Sequence, residues 1–577
     1  MYINKSFKKI VNVIIALTVI ISLTDNIHSQ ELNASQLDSL YLKFVQLRAP
    51  DILPQNDKPF NLSLENIKCG FGLVSQVRVN LDKFILEQRN ILKTLLVRPI
   101  KQASMVSPSG FFRIHYDISG SEVPNYDPSL TVEENVQQVA LAADSTYRFE
   151  VEYLGFPGPP NDNGAGGDNL FDIYITDADQ NYGFTQPETH LGNDKYDSYI
   201  EIHYSFLGQG FATHGLEAMR VTVAHEFHHA IQMGNYILRL DDRFFYELTS
   251  TSMEEFVYDN VNDYYAYMGG YFNNPARQFT RFLWGTTDGY DLAIWNFYLE
   301  KNYGFGIIKR QWEMMPNQRA ILAIGNSILE RTSTFAREYN KFGIWTYYTN
   351  YRAVSSQYFE EAANYPLIKP SFIPPAFTPP AQTIEIDAQA CSNNFIKFNI
   401  SINSDTLYAL ITNGNISAVN LPVNQKTTFT YTLFSDGASG NRKLTEDYSS
   451  YFNSADPNWW SGSEILNGLL VRQDSTIIPG TVISESYVFP NPFMYKGNLS
   501  ISIEGKEGEE LDFNVYSSDM TLVHTAKLAA APLLNNTIGI NWNGKDGDGN
   551  RLTSGVYIVV IKNGDDIFKG KVVIFNE

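Results

Sequence analysis

Cysteine is nearly absent. Two residues in 577, Cys69 and Cys391, allow at most one bridge, so disulfides do not hold this fold together. Positive charge is also short. Against 63 Asp and Glu stand 43 Lys and Arg, a net charge of −20, which argues against nucleic acid or an anionic membrane surface as a partner. Long apolar runs are missing after the first. Ile10–Leu23 follows Lys5, Lys8 and Lys9, is too short for an easy membrane span, and leads to a cleavage context at Ile27-His28-Ser29. Residues 1–29 therefore read as a signal peptide, and the chain is expected to be exported, secreted or held at the cell surface. Histidine is scarce too: nine in all, and none between His229 and His524.

What is present stands out against that scarcity. Within Val221–Tyr236, three of the nine histidines fall in His225-Glu226-Phe227-His228-His229, an H-E-x-x-H pattern. On a helix His225 and His229 lie one turn apart on one face. They can give two imidazoles to one zinc ion, with the Glu226 carboxylate beside a zinc-held water. Val221, Val223, Ala224, Phe227, Ala230, Ile231 and Met233 supply apolar flanks, and Gly234-Asn235 a stop. His228 is turned off the ligand face and reads as packing or as a partner of a ligand.

The third ligand follows from what the chain lacks. A further histidine at the spacing H-E-x-x-H-x-x-G-x-x-H is absent, since Gln232 and Asn235 occupy those two positions. A nearby ligand must then be a carboxylate. Asp241 and Asp242 sit among arginines in a turn region. Glu247 opens a stretch compatible with a second helix, FYELTSTSMEEFVYD, at a spacing like that of gluzincins. Glu254 lies two turns on along the same face, about 10 Å away, so both cannot be ordinary ligands of one ion. Glu247 is the expected ligand; Glu254 is its alternative, or a residue that supports a ligand. For Cys69, a disulfide or a plain buried thiol is the favoured reading. A thiolate laid over the metal from an N-terminal segment is the lesser one.

Upstream, residues 30–105 carry helical spacing, in LNASQLDSLYLKFVQL and VRVNLDKFILEQRNILKTLL. Strands are expected at Phe111–Tyr116, Phe171–Ile175 and Ser198–Tyr204, with a helix over 132–154. The loop GFPGPPNDNGAGGDN brings Asp162 and Asp168 near Asp172. These are oxygen ligands of the kind calcium uses, but a turn-rich connector is the preferred reading. Downstream, ARQFTRFLWGTTDGYDLAIWNFYLEK and RAILAIGNSILERTSTFAREYNKFGIWTYY have helical spacing, and Tyr264, Tyr265, Tyr267 and Tyr290 are open as donors to an oxyanion. Prolines crowd residues 366–382. Beyond them two-residue alternation takes over (TIEIDA, FIKFNISI, TLYALIT).

The order of mixed sheet and then metal helix resembles the first half of the zincin fold, whose edge strand pairs with extended substrate; Ser198–Tyr204 is the candidate for it. VTVAHEFHHAIQ, YELTSTSMEEFVYD, YDLAIWNFYLEKNYG and YFEEAANYP resemble a family of secreted bacterial metalloproteases of the Myxococcus and Bacteroidetes type, and more distantly the immune-inhibitor-A peptidases. The chain departs from that family at Leu248, Ser250 and Ser252, where Gly, Ala and Trp are usual. That leaves the ligands in place and substrate preference open. YVFPNPF, INWNGKDGDGN and SGVYIVVIKNG resemble both the C-terminal sorting domain of type IX secretion and the Ig-like domain of flagellar hook-capping proteins.

The expected fold is multidomain α+β, with a zincin-like, gluzincin-type metalloprotease domain followed by two β-sandwich modules. Its parts are a signal peptide (1–29), a helical N-terminal segment or prosegment (30–105), the metallopeptidase domain (106–365), a linker (366–382), a β-sandwich (383–480) and an Ig-like sorting domain (481–577). The expected activity is hydrolysis of internal peptide bonds in protein or peptide substrates, with zinc as cofactor and calcium as a lesser candidate. The resemblance implies the outer-membrane secretion machinery as a partner. The rival expectation is a surface adhesin that has kept the fold and lost the activity.

Overall fold

The computed structural model describes residues 32–53, 68–374 apart from 179, 180 and 284, and 388–399, 406–416, 428–436, 442–446, 452–453, 488–489 and 493–576 apart from short gaps. The signal peptide and the stretch 454–487 lie outside the described residues. The chain is mixed α and β and forms two compact units. Among the described residues no helix is long and apolar enough to cross a membrane.

The first unit holds residues up to Asn274, then Phe279–Phe335 and Trp345–Ile368. It opens with α1 (Ala34–Arg48), α2 (Phe71–Val79) and α3 (Leu86–Leu95). Asn33 caps α1 reciprocally with Gln36, a device worth about 1 kcal/mol. The long helix expected across Val77–Leu96 is broken by the turn at Asn80–Phe84. Leu40, Phe44, Leu73, Val77, Phe84 and Leu92 bury one another and close over Ala178 and Phe184.

Next come β1 (Ala103–Val106), β2 (Phe112–Tyr116), α4 (Val132–Tyr147), β3 (Phe171–Thr176), β4 (Gly183–Gly192) and β5 (Lys195–His203). They form one sheet in the order β1-β2-β3-β5-β4. β2, β3 and β5 run parallel, and β1 and β4 are antiparallel to their neighbours. The expected edge strand at Ser198–Tyr204 is thus corrected. That segment is β5, paired on both sides, and the edge belongs to β4. β4 carries Gly183, Pro187 and the exposed Thr189–Leu191. Such residues, and the register shifts after Pro187, are how edge strands avoid unwanted pairing.

Helix α5 (Gly215–Ile231) crosses the sheet and packs on α4 and α6 (Arg243–Val257). It is buried on all faces from Val221 to Ile231, so it runs through the core and is not amphipathic. Then follow α7 (Gly269–Asn273), α8 (Ala293–Tyr303), α9 (Gly306–Met314), α10 (Ala320–Leu329) and α11 (Phe335–Tyr347). The helix expected from Ala276 begins only at Ala293, because Gly285 and Gly289 take positive φ ahead of it.

The second unit takes Pro275–Gln278, the middle of α11 (Ala336–Ile344) and everything from Lys369. Its first sheet contains β6 (Ser392–Asn399), β7 (Thr406–Asn413), β8 (Thr428–Asp436), β9 (Arg442–Glu446) and β10 (Phe452–Asn453), all antiparallel. Among the described residues this is one sheet with a helix against it, where two facing sheets were expected. Asn340 in α11 donates to Thr412 and accepts from Thr432, and Asn393 donates to the Tyr339 carbonyl.

The C-terminal part has two four-stranded sheets. One is β11 (Val488–Phe489), β12 (Leu499–Ile503), β16 (Ile538–Trp542) and β15 (Ala531–Pro532). The other is β14 (Leu522–Ala529), β13 (Glu510–Ser517), β17 (Gly555–Asn563) and β18 (Asp566–Ile574). Leu499, Ile501 and Ile540 from the first meet Phe513, Val559 and Val572 from the second in one core. The Asp546 loop is a tight turn, with its carboxylate accepting from the Asp548 and Asn550 amides.

Candidate metal centre

Four side chains from distant parts of the first unit converge: Cys69, His225, His229 and Glu247, all buried, with donor atoms within 4.8 Å of one another. His225 and His229 project from one face of α5, and their Nε2 atoms are 3.1 Å apart. Antiparallel α6 brings Glu247 Oε2 to 3.2 Å from His225 Nε2 and 3.4 Å from His229 Nε2. A tetrahedral ion with ligands at 2.0–2.1 Å puts neighbouring donors about 3.3 Å apart. The three contacts match that spacing, so the residues present fit zinc.

Each imidazole is held from behind. His225 Nδ1 meets Glu254 Oε1 at 2.7 Å, so Glu254 backs this imidazole and lies outside the donor cluster. His229 Nδ1 meets Gln232 Oε1 at 2.7 Å and the Ser250 hydroxyl at 3.1 Å. With Nδ1 donating to these groups, Nε2 keeps its lone pair for a metal. Gln232, which displaces the glycine of the longer histidine motif, is therefore a partner of His229. Its position one turn on from His229 is the signal that could have revealed it.

The field of the site suits a cation. Burial opposes charge on His225, but hydrogen bonds to Glu247 and Glu254 outweigh it and lift its pKa to about 9. Burial likewise opposes charge on Glu247, and the two histidines overcome it and bring the carboxyl down to about 2. Glu226, next to His225, has the Thr185 hydroxyl of β4 within reach of both its carbonyl at 2.7 Å and one carboxylate oxygen at 2.8 Å, and burial first and then its charge push the Cys69 thiol well up.

The tyrosines divide by place. Tyr290 stacks 6.0 Å from His225, and burial first and then the charge of Glu247 push its phenol well up. Tyr264 bonds to Tyr365 and Tyr265 to Asn364, while Tyr267 faces Lys68. His228 points away, with Nδ1 on Glu150 at 2.7 Å.

The candidate calcium residues are each paired with an arginine. Arg98 pairs with both Asp162 and Asp172, His115 also bonds to Asp172, and Arg113 holds Asp168. The two cysteines are unbridged. Cys69, whose covering of a metal was the lesser expectation, lies in the donor cluster.

No protein-family model and no curated protein matches the chain. Among solved structures, two from Porphyromonas gingivalis are similar over short stretches. PorZ, described as an essential bacterial surface component of the type-IX secretion system, is 18% identical over 25% of this chain and 15% of its own, with a TM-score of 0.13. Dimeric latent PorU is 12% identical over 33% of this chain and 20% of its own, also with a TM-score of 0.13. Likeness that loose extends to neither fold nor function.

Proposed function

We propose that the chain is a zinc metallopeptidase of zincin type. The observation that carries this reading is the set of three donors, His225 Nε2, His229 Nε2 and Glu247 Oε2, spaced 3.1–3.4 Å apart with Glu226 beside them. Zinc held there supplies Lewis acidity toward a scissile carbonyl and lowers the pKa of a water. Glu226 would take a proton from an attacking water and return it to the leaving amine. Thr185 lies 2.8 Å from one Glu226 carboxylate oxygen, which holds β4 against the base. β4 lies at the end of the strand order and is the strand placed to pair with an extended peptide. Tyr290, the nearest phenol, is the donor best located to meet an oxyanion. The same reading gives residues 1–29 to export and the C-terminal pair of sheets, Ig-like by its sequence motifs, to sorting by an outer-membrane secretion machinery.

Metal content and hydrolysis of unfolded casein test it together. With Cys69 displaced, Glu226→Gln is expected to keep one zinc per chain and lose roughly a hundredfold to ten-thousandfold in rate. Unchanged activity would sink the assignment of the base. Glu247→Ala is expected to lose zinc, while Glu254→Ala keeps it with an affinity weakened roughly 10–100-fold. Inactive wild-type protein that carries zinc and has Cys69 displaced would favour an adhesin.

A further inference from the structure

Resting on the metallopeptidase reading, we infer that this chain folds as a latent form, with the Cys69 sulfur as fourth zinc ligand and Lys68–Phe71 filling the substrate's place. A catalytic zinc keeps one coordination position open, whereas four protein donors close it. Here the fourth donor is present: Cys69 Sγ lies in the same cluster as the two histidines and Glu247. Closure alone would equally describe a structural zinc. A structural site, however, has no use for Glu226, a buried carboxylate adjoining the cluster.

The residues on either side of Cys69 hold it there. Lys68 is buried and ion-pairs with both Glu254 and Asp263, so the carboxylate that supports His225 also anchors the segment. Phe71 stacks on the His229 ring at 4.1 Å, and its amide donates to Cys69 Sγ at 3.2 Å, which aims the sulfur. The backbone is held as well. Gly70 N donates to Gly183 O at 3.0 Å, Tyr182 N donates to Lys68 O at 2.8 Å, and Cys69 pairs in parallel with Gly183. That pairing uses the start of β4, the edge a peptide substrate needs. One four-residue stretch therefore blocks both the metal and the binding strand. α1–α3 add the apolar face that packs on Phe184 of β4, and Arg48 grips Glu201 of β5 with two hydrogen bonds.

Activation is then a ligand exchange. With zinc held by His225, His229 and Glu247, withdrawal of Lys68–Phe71 would let the Cys69 thiolate take up a proton from solvent and would leave the fourth position to water. No electrons are transferred and no covalent bond within the chain has to change.

The test uses the full chain with cobalt(II) in place of zinc. Wild type is expected to show the sulfur-to-cobalt charge-transfer band of the near ultraviolet, and Cys69→Ser to bind cobalt without it. One cobalt per chain in wild type with no such band overturns the inference and leaves the metallopeptidase reading standing. Failure to bind cobalt or zinc at all removes both. With zinc, Cys69→Ser is expected to hydrolyse unfolded casein faster than intact wild type by roughly tenfold or more. A variant no faster than wild type overturns the latency.

Discussion

Glu254 and Glu255 are neighbours in α6 and face opposite conditions. Glu254 has Lys68 and His225 as partners. Glu255 is turned toward Asp259 and Glu361, and the three carboxyl groups come within 4.8 Å of one another. Burial first, and then the charges of Glu361 and Asp259, push the Glu255 carboxyl from 4.5 up to about 9. A raised pKa on an acid means the folded state favours the proton. The stability it supports is complete below 4.5 and is lost as pH rises through about 9. Glu255→Gln keeps a neutral side chain throughout. In chelator it is expected to melt with wild type below 4.5 and to be more stable above 9, by roughly 1–3 kcal/mol after screening. Thermal melts across that pH range check this. Parallel curves for the two proteins would show that Glu255 is not ionising against its neighbours.

At the scale of elements, the candidate metal site is two antiparallel helices and the turn that presses on them. Gly289, at φ +95, precedes α8, and a Cβ there would come within 2.9 Å of Glu247 Cβ and 3.0 Å of the Phe244 carbonyl. Gly289→Ala is expected to cost about 1–3 kcal/mol and to shift Glu247, weakening zinc. Gly304, at φ +73 with open space around it, is the control: its alanine variant should be strained yet hold zinc normally. Equal zinc affinity in both variants would mean that the turn does not position Glu247. This pairing of turn and ligand is invisible in sequence, but the helices are not. H-E-x-x-H declares its helix because its spacing and its apolar flanks agree, and Glu247 follows because no histidine remains to compete. β4 was missed because Gly183, Pro187 and its charged outer end spell a loop when read locally. The place of Cys69 was legible only as one reading among three. Its approach to His225 depends on residue 69 pairing with residue 183, which no local pattern records.

For the whole molecule, local reading found the change from helical to alternating periodicity near residue 366 but not how the units share the chain. Ala336–Ile344 reads as an ordinary amphipathic helix, and its hydrogen-bonding partners Thr412, Thr432 and Asn393 read as ordinary strand residues. Only the fold joins them, with Gly343 close to Leu410 and Gly414 close to Ala336. The linker is therefore not a clean place to cut. Ending the chain at residue 374 removes β6–β10 and leaves Asn340 and the buried face of α11 without partners. The C-terminal pair of sheets differs, because its core closes on residues of its own, from Phe493 to Ile574. A chain ending at residue 487 is expected to keep the zinc site and the melting temperature of the remaining part. A chain ending at 374 is expected to melt several degrees lower, since a lost domain core contact of about 1–2 kcal/mol shifts the midpoint of a unit this size by that much. Equal melting of the two truncated chains would mean that α11 draws no stability from the sheet. In that event residue 366 would be a true boundary after all.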